Sequence, residues 1–146
     1  MSEPKPAIPD SSSTDSLSAF CPACWTEAAF SLTACPHCGA SISALSADVY
    51  STKLVRALRH PISEIRERAA RLLGNVGGPE TRGELLRLVD QQADTYLAAA
   101  ALEGLARLER RFPELPQTVW KSFTGQEYPL LVRVAALEAL RAGGRR

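Results

Sequence analysis

The residues best suited to chemistry are the chain's four cysteines. They fall as Cys21-Pro-Ala-Cys24, ten intervening residues, then Cys35-Pro-His-Cys38-Gly39. A Cys-x2-Cys pair sits on a tight turn whose amide hydrogens can bond the sulfurs, so two such pairs bring four soft, anionic donors to one tetrahedral ion. Zinc fits that donor set best, one Zn2+ per chain held by Cys21, Cys24, Cys35 and Cys38. Four protein sulfurs close the coordination sphere, so the expected role of the zinc is structural rather than catalytic. Two alternatives are weighed against it. Disulfides are disfavoured if the chain is cytoplasmic. Iron in the same geometry suits a larger domain with an aromatic core. His37 lies inside the second pair, where four thiolates already satisfy the ion, and is expected to be a spacer facing solvent. His60 precedes Pro61 and reads as a turn residue.

About 22 residues are too few to bury a core, whereas zinc supplies roughly 10 to 16 kcal/mol in small fingers, so the metal must hold this unit together. Between the two pairs, Phe30-Ser31-Leu32-Thr33 alternates like a short strand. The segment from Phe20 to Ile42 resembles the short bacterial zinc ribbon, whose usual form is Phe-Cys-Pro-x-Cys-Gly, about ten residues, then Cys-Pro-x-Cys-Gly. Both prolines and the spacing match, and Trp25 stands where glycine is common.

The elements that carry this unit follow from composition and pattern. The chain has 146 residues, a formal charge of +1 and 45% apolar residues, which excludes a strongly basic nucleic-acid coat or an acidic solvating chain. No run approaches about 18 apolar residues, and the N-terminus has neither a basic n-region nor an apolar h-region. A membrane span and a secretory signal are therefore not expected, and the location expected is cytoplasmic. Residues 1–19, with Pro4, Pro6, Pro9 and Ser11-Ser12-Ser13, read as a disordered arm. Residues 20–42 are the ribbon and 43–48 a Ser-rich linker.

From Val49 the period is helical. Ile65, Ala69, Leu72, Leu73 and Val76 share one helix face, and Leu54, Val55 and Leu58 mark a shorter helix before the break at His60-Pro61. The same unit returns after Gly77-Gly78-Pro79, with Leu85, Leu86, Leu88 and Val89 and then a long helix from about Asp94 to Arg110. It returns again after Pro113 and Pro116, with Val119, Trp120 and Phe123 on a short helix before a final one. Ile65, Ala69 and Leu73, then Leu97, Ala101 and Leu105, then Val132, Ala136 and Leu140 repeat one spacing. Ala100-Ala101-Leu102-Glu103-Gly104-Leu105 is nearly the string Ala135-Ala136-Leu137-Glu138-Ala139-Leu140. The expected fold is all-α, three stacked helix pairs at about 49–77, 78–111 and 114–144, with Ala101 and Ala136 where neighbouring helices come closest.

His60-Pro61, Ile65-Arg66, Ala69-Ala70, Leu73-Gly74 and Gly77-Gly78-Pro79 resemble a HEAT repeat of the bilin-lyase-like subtype, and Val132-Arg133, Ala136 and Leu140 repeat it. The resemblance covers about residues 49–144 and implies a three-repeat HEAT-like α-solenoid, a shape used mostly for holding partners. HEAT-built hydroxylases use His-Glu pairs to hold iron, and this sequence has no His-Glu dipeptide.

The function expected is a non-enzymatic protein-protein interaction adaptor, or an accessory subunit of a larger complex, with a structural zinc site and no evident small-molecule substrate. Its docking face is expected at Arg66, Glu67, Arg133, Glu138 and Arg141, with Trp25 as an aromatic anchor. One alternative is a nucleic-acid-associated factor gripping a backbone with the ribbon and the arginines of residues 51–89, a segment carrying Lys53, Arg56, Arg59, Arg66, Arg68, Arg71, Arg82 and Arg87 against four glutamates. Within that segment, Glu64 to Arg68 and Glu67 to Arg71 have the spacing of intrahelical ion pairs. The HEAT subtype implies a further alternative, chromophore attachment or chaperoning as in bilin lyases.

Overall fold

The computed structural model describes residues 18–29, 31–90 and 94–143. Most of the arm expected at 1–19 lies outside them, but Ser18 and Ala19 are not part of an arm. They open strand β1 (Ser18–Phe20), which pairs antiparallel with β2 (Glu27–Ala29) in the register Ser18 to Ala29 and Phe20 to Glu27. The strand expected around Phe30 to Thr33 therefore falls earlier, because the first Cys-x2-Cys turn folds the chain back directly onto β1; Phe30 itself lies outside the described residues. A short helix, α1 (Ile42–Ser46), begins where Ser41 caps it by accepting the Ala44 N–H at 3.3 Å, so the stretch expected as a linker is helical for most of its length.

Helices α2 (Tyr50–Ala57) and α3 (Ser63–Val76) flank His60-Pro61, where proline and the restricted residue before it stop one helix and allow the next. A 3₁₀ turn at Pro79–Thr81 leads into α4 (Arg82–Asp90), and α5 (Thr95–Arg111) follows. The last pair departs from expectation. Val119, Trp120 and Phe123 lie on no α-helix; Trp120–Phe123 is a single 3₁₀ turn, and then α6 runs from Leu130 to Gly143. Pro116 upstream, with Gly125 and Pro129 downstream, leaves too little uninterrupted chain for a full helix there. Phe123 is nonetheless buried and meets Tyr128 edge-on, with ring centroids 5.4 Å apart.

Packing follows the apolar faces. α3 packs on α2 and α5, α4 on α5, and α5 on α6, with the 3₁₀ turn at Trp120 against α6. α5 is the central helix: Leu97 to Leu102, Gly104, Leu105 and Leu108 are all buried. Ala101 and Ala136, expected where neighbouring helices come closest, are fully buried. A backbone-to-backbone approach lies one turn further along α5, where α3 meets it glycine to glycine. A methyl group on Gly74 would come within 2.7 Å of the Gly104 Cα, and one on Gly104 would overlap the Ala70 carbonyl oxygen. The chain is thus predominantly helical among the described residues, and none of its described helices is long and apolar enough to cross a membrane.

Candidate metal centre

Each cysteine pair sits on the same backbone turn. Cys21 N–H donates to Thr26 O at 2.9 Å and Trp25 N–H to Cys21 O at 2.8 Å; in the second turn Cys35 N–H donates to Ala40 O at 2.9 Å and Gly39 N–H to Cys35 O at 2.9 Å. The turn demands a left-handed residue at its end. Gly39 supplies it at φ 73°, at no steric cost, while Trp25 adopts it at φ 59°. Trp25 is the only non-glycine residue with positive φ among the described residues, and holding it there costs about 1 to 2 kcal/mol.

The two turns face each other so that their sulfurs converge. Cys21 Sγ lies 3.8 Å from Cys38 Sγ, and Cys24 Sγ 3.8 Å from Cys35 Sγ. All four sulfurs lie within 4.8 Å of one another, the one such group of metal-binding side chains among the described residues. Zinc–sulfur bonds of about 2.3 Å set the edge of a tetrahedron at about 3.8 Å, which is the separation across the two turns. The donor set therefore fits a single four-coordinate ion.

The charge state of the thiols points the same way. Thr26, through its hydroxyl and its backbone N–H, holds Cys24 down at about 6, against an ordinary value of 9. The backbone N–H groups of Cys38 and His37 lower Cys35. At Cys38 the Ala40 N–H favours the thiolate, but lost solvation and the three neighbouring sulfurs outweigh it and push the thiol up to about 11. Hydrogen-bond donors thus favour the thiolate at Cys24 and Cys35, while the neighbouring sulfurs oppose it at Cys38. A divalent cation removes that resistance, because it is attracted to every thiolate that its neighbours repel. His37 is exposed on its turn, and its side chain is outside the sulfur cluster.

The ribbon meets the helices around His60. His60 is only 6% exposed, with the Phe20 ring edge-on at 5.1 Å and the Trp25 ring edge-on at 4.7 Å. Its Nδ1 accepts the Ile62 N–H at 3.0 Å, which leaves the proton of the neutral ring on Nε2. Burial, and then the Arg66 charge, hold its pKa below the ordinary value. His60 is more than a turn residue, and Trp25, expected as an exposed anchor, spends its ring on this contact.

The other expected docking residues divide. Arg66 is committed to the fold: it donates to the His60 carbonyl at 2.8 Å, the Pro61 carbonyl at 3.1 Å and Ser63 Oγ at 3.2 Å, and pairs with Asp94 at 3.1 Å. Glu67 pairs with Arg71 at 3.6 Å, as its spacing implies. Arg71 reaches further, to Glu103 on α5 at 2.9 Å. No Glu64–Arg68 pair forms among the described residues. Arg133 is half-buried on α6, and Glu138 and Arg141 are exposed there.

Three organising residues were not singled out by sequence. Asp94 caps α5 by accepting the Tyr96 and Leu97 N–H groups at 3.1 Å, and its other oxygen accepts from Ser63 Oγ at 2.9 Å. Those donors, the Leu97 N–H foremost, hold its carboxyl below the usual range. Glu109 is 3% exposed; it accepts the Thr118 N–H at 3.1 Å and pairs with Arg82 at 3.3 Å. Arg111 donates to the Gly74 and Gly77 carbonyls at 3.2 and 2.9 Å, satisfying the end of α3. An acid immediately before a helical run is the signal that exposes Asp94; Glu109 and Arg111 carry no local signal, because their partners lie 9 to 37 residues away in sequence. Compared with known protein families, curated proteins and solved structures, the chain matches none.

Proposed function

We propose that the chain is a non-enzymatic adaptor or accessory subunit: a HEAT-like stack of helix pairs, with a structural zinc ribbon seated on its first pair, that holds a protein partner. The observation that carries this reading is the open groove along α5 and α6. Two adjoining cavities of about 220 and 310 Å³ share Arg110; the first is lined by Glu103, Arg107 and Glu138, the second by Gln117 and Trp120. Alternating charges beside a half-buried tryptophan are the chemistry of a polypeptide-binding surface, where buried Trp and Arg contribute disproportionately.

The zinc belongs to the scaffold in this reading, since four sulfurs leave it no open position. A phosphate backbone is a poorer match than a protein. In the basic segment Arg56, Arg66, Arg71, Arg82 and Arg87 each pair with an acid of this chain, which removes them from an electrostatic footprint. The docking residues consistent with the groove are Glu138 and Arg110; Arg141 and Arg133 lie beyond it on α6, and Arg66, Glu67 and Trp25 act as internal supports.

The test is affinity capture of the tagged, zinc-loaded chain from its native host, with mass spectrometry, beside an Arg110→Glu variant of equal helicity. The reading expects one protein whose recovery falls at least about fivefold on the charge reversal. Equal recovery rejects the groove. Binding to bare nucleic acid that weakens steeply between low and moderate salt promotes the nucleic-acid alternative, and visible absorbance copurifying with the chain promotes the chromophore alternative.

A further inference from the structure

α6 is apolar on two opposite sides. Val132, Ala135, Ala136 and Ala139 are buried toward the rest of the chain, while on the far side Leu130, Val134 and Leu137 remain 68%, 41% and 48% exposed. A helix apolar all round is a helix covered on both sides. The outer stripe has a defined spacing: Leu130, Val134, Leu137 and Arg141 follow at intervals of four, three and four residues. That is the d-a-d-a seam of a two-stranded coiled coil, and valine at a with leucine at d is the combination that favours two parallel strands.

The flanking charges choose the occupant and its direction. Arg133 falls at g and Glu138 at e, five residues apart. In a parallel pair of identical helices, each g residue faces the partner's e residue five positions on, so Arg133 of one copy meets Glu138 of the other, twice by symmetry. The parallel pair brings the two Arg141 side chains together at the last a position, whereas an antiparallel pair would set Arg133 against Leu140, Glu138 against Leu131 and Leu130 against Arg141, with no opposite charges matched. Neither Arg133 nor Glu138 has an ion-pair partner within the chain among the described residues.

We propose that two copies of this chain associate through α6, parallel about a two-fold axis, with Leu130, Val134 and Leu137 on the seam and Arg133–Glu138 pairs on its flanks. The occupant of the stripe is a second copy of the same helix. This goes beyond the adaptor reading; Glu138 borders both the groove and the seam, so the two readings are told apart at Arg110, which lies off the seam, and at Leu137, which lies off the groove.

Sedimentation equilibrium of the full, zinc-loaded chain from about 5 to about 500 µM tests it. The expected result is a mass rising from one toward two chains of 15.8 kDa. Leu137→Asp should weaken association at least about tenfold with helicity unchanged, since it buries a charge in the seam. Arg133→Glu and Glu138→Arg should each weaken it about fivefold, and the doubly exchanged chain should recover to within about twofold of the original. A chain that stays monomeric at the highest concentration, or assembles beyond two, overturns the proposal. So does association untouched by Leu137→Asp, and failure of the double exchange to restore binding overturns the parallel pairing even if Leu137→Asp proves too disruptive to read.

Discussion

The glycine crossing of α3 and α5 makes a prediction of opposite sign for two chemically identical changes. In a helix interior, Gly→Ala ordinarily stabilises by about 1 kcal/mol, because alanine loses less backbone entropy on folding. Gly83, at the start of α4, has nothing within 4 Å of an added methyl. Gly83→Ala should therefore stabilise by about 0.5 kcal/mol, reduced from the interior value by its position in the first turn. At Gly104 the methyl would overlap the Ala70 carbonyl oxygen and stand 3.2 Å from its carbonyl carbon, and both atoms are backbone with no rotamer to yield. The helices must then part by about 1 Å, which forfeits a quarter to a half of the dispersion energy of each contact across the crossing. Overpacking costs about 1 to 3 kcal/mol, and a rigid backbone puts this site at the upper end. After the propensity gain, Gly104→Ala should destabilise by about 2 kcal/mol. In thermal melts followed by far-ultraviolet circular dichroism, that is a fall of about 8 °C, against a rise of about 2 °C for Gly83→Ala. Gly74→Ala should behave like Gly104→Ala, and the double variant should cost less than the sum, since helices already parted accept the second methyl. A melting temperature unchanged or raised by Gly104→Ala would refute the crossing.

Three further outcomes follow from the ribbon and its support. Cys35→Ser, or chelation, should release one equivalent of zinc and leave most helical signal intact, yet lower the helical melting transition by about 4 to 8 °C as the aromatic contacts on His60 are lost; an unmoved transition would show that the ribbon does not brace the helices. Because burial and Arg66 hold His60 below its ordinary pKa, stability is complete above pH about 6.5 and falls as the pH drops below it, where the unfolded chain binds a proton that the folded chain does not. With zinc saturating throughout, His60→Gln should flatten the dependence between about pH 7.5 and 5.5, and identical slopes would count against the burial. Asp94→Ala should cost about 2 kcal/mol in urea denaturation, about 1 for the cap and about 1 for the stranded Arg66, whereas Asp94→Asn should keep the cap and lose roughly half as much; equal losses would contradict that division.

Much of the candidate site was legible because its information is local. Two Cys-x2-Cys turns ten residues apart carry their own geometry, and the alanine-rich strings of α5 and α6 announce buried helices by their period. Helix starts and stops at His60-Pro61 and Gly77-Gly78-Pro79 were equally plain, since proline and glycine act on the chain where they stand. The short helix expected at Trp120 failed for the complementary reason: its apolar residues had helical spacing, but Gly125 and Pro129 limited the length available.

What the sequence determined by itself, then, is which cysteines come together in a set that fits a metal ion and which faces are apolar, because both depend on spacings of a few residues. Tertiary structure alone decided how those pieces meet. No local pattern says that Trp25 accepts a left-handed backbone to press on His60, that Arg66 leaves the surface for Asp94 from 28 residues away, or that Gly74 and Gly104 bring two helices into backbone contact. Those contacts join segments remote in sequence, and their energies exist only once the helices have packed, because burial, close approach and the strength of a shielded ion pair are properties of the assembled core.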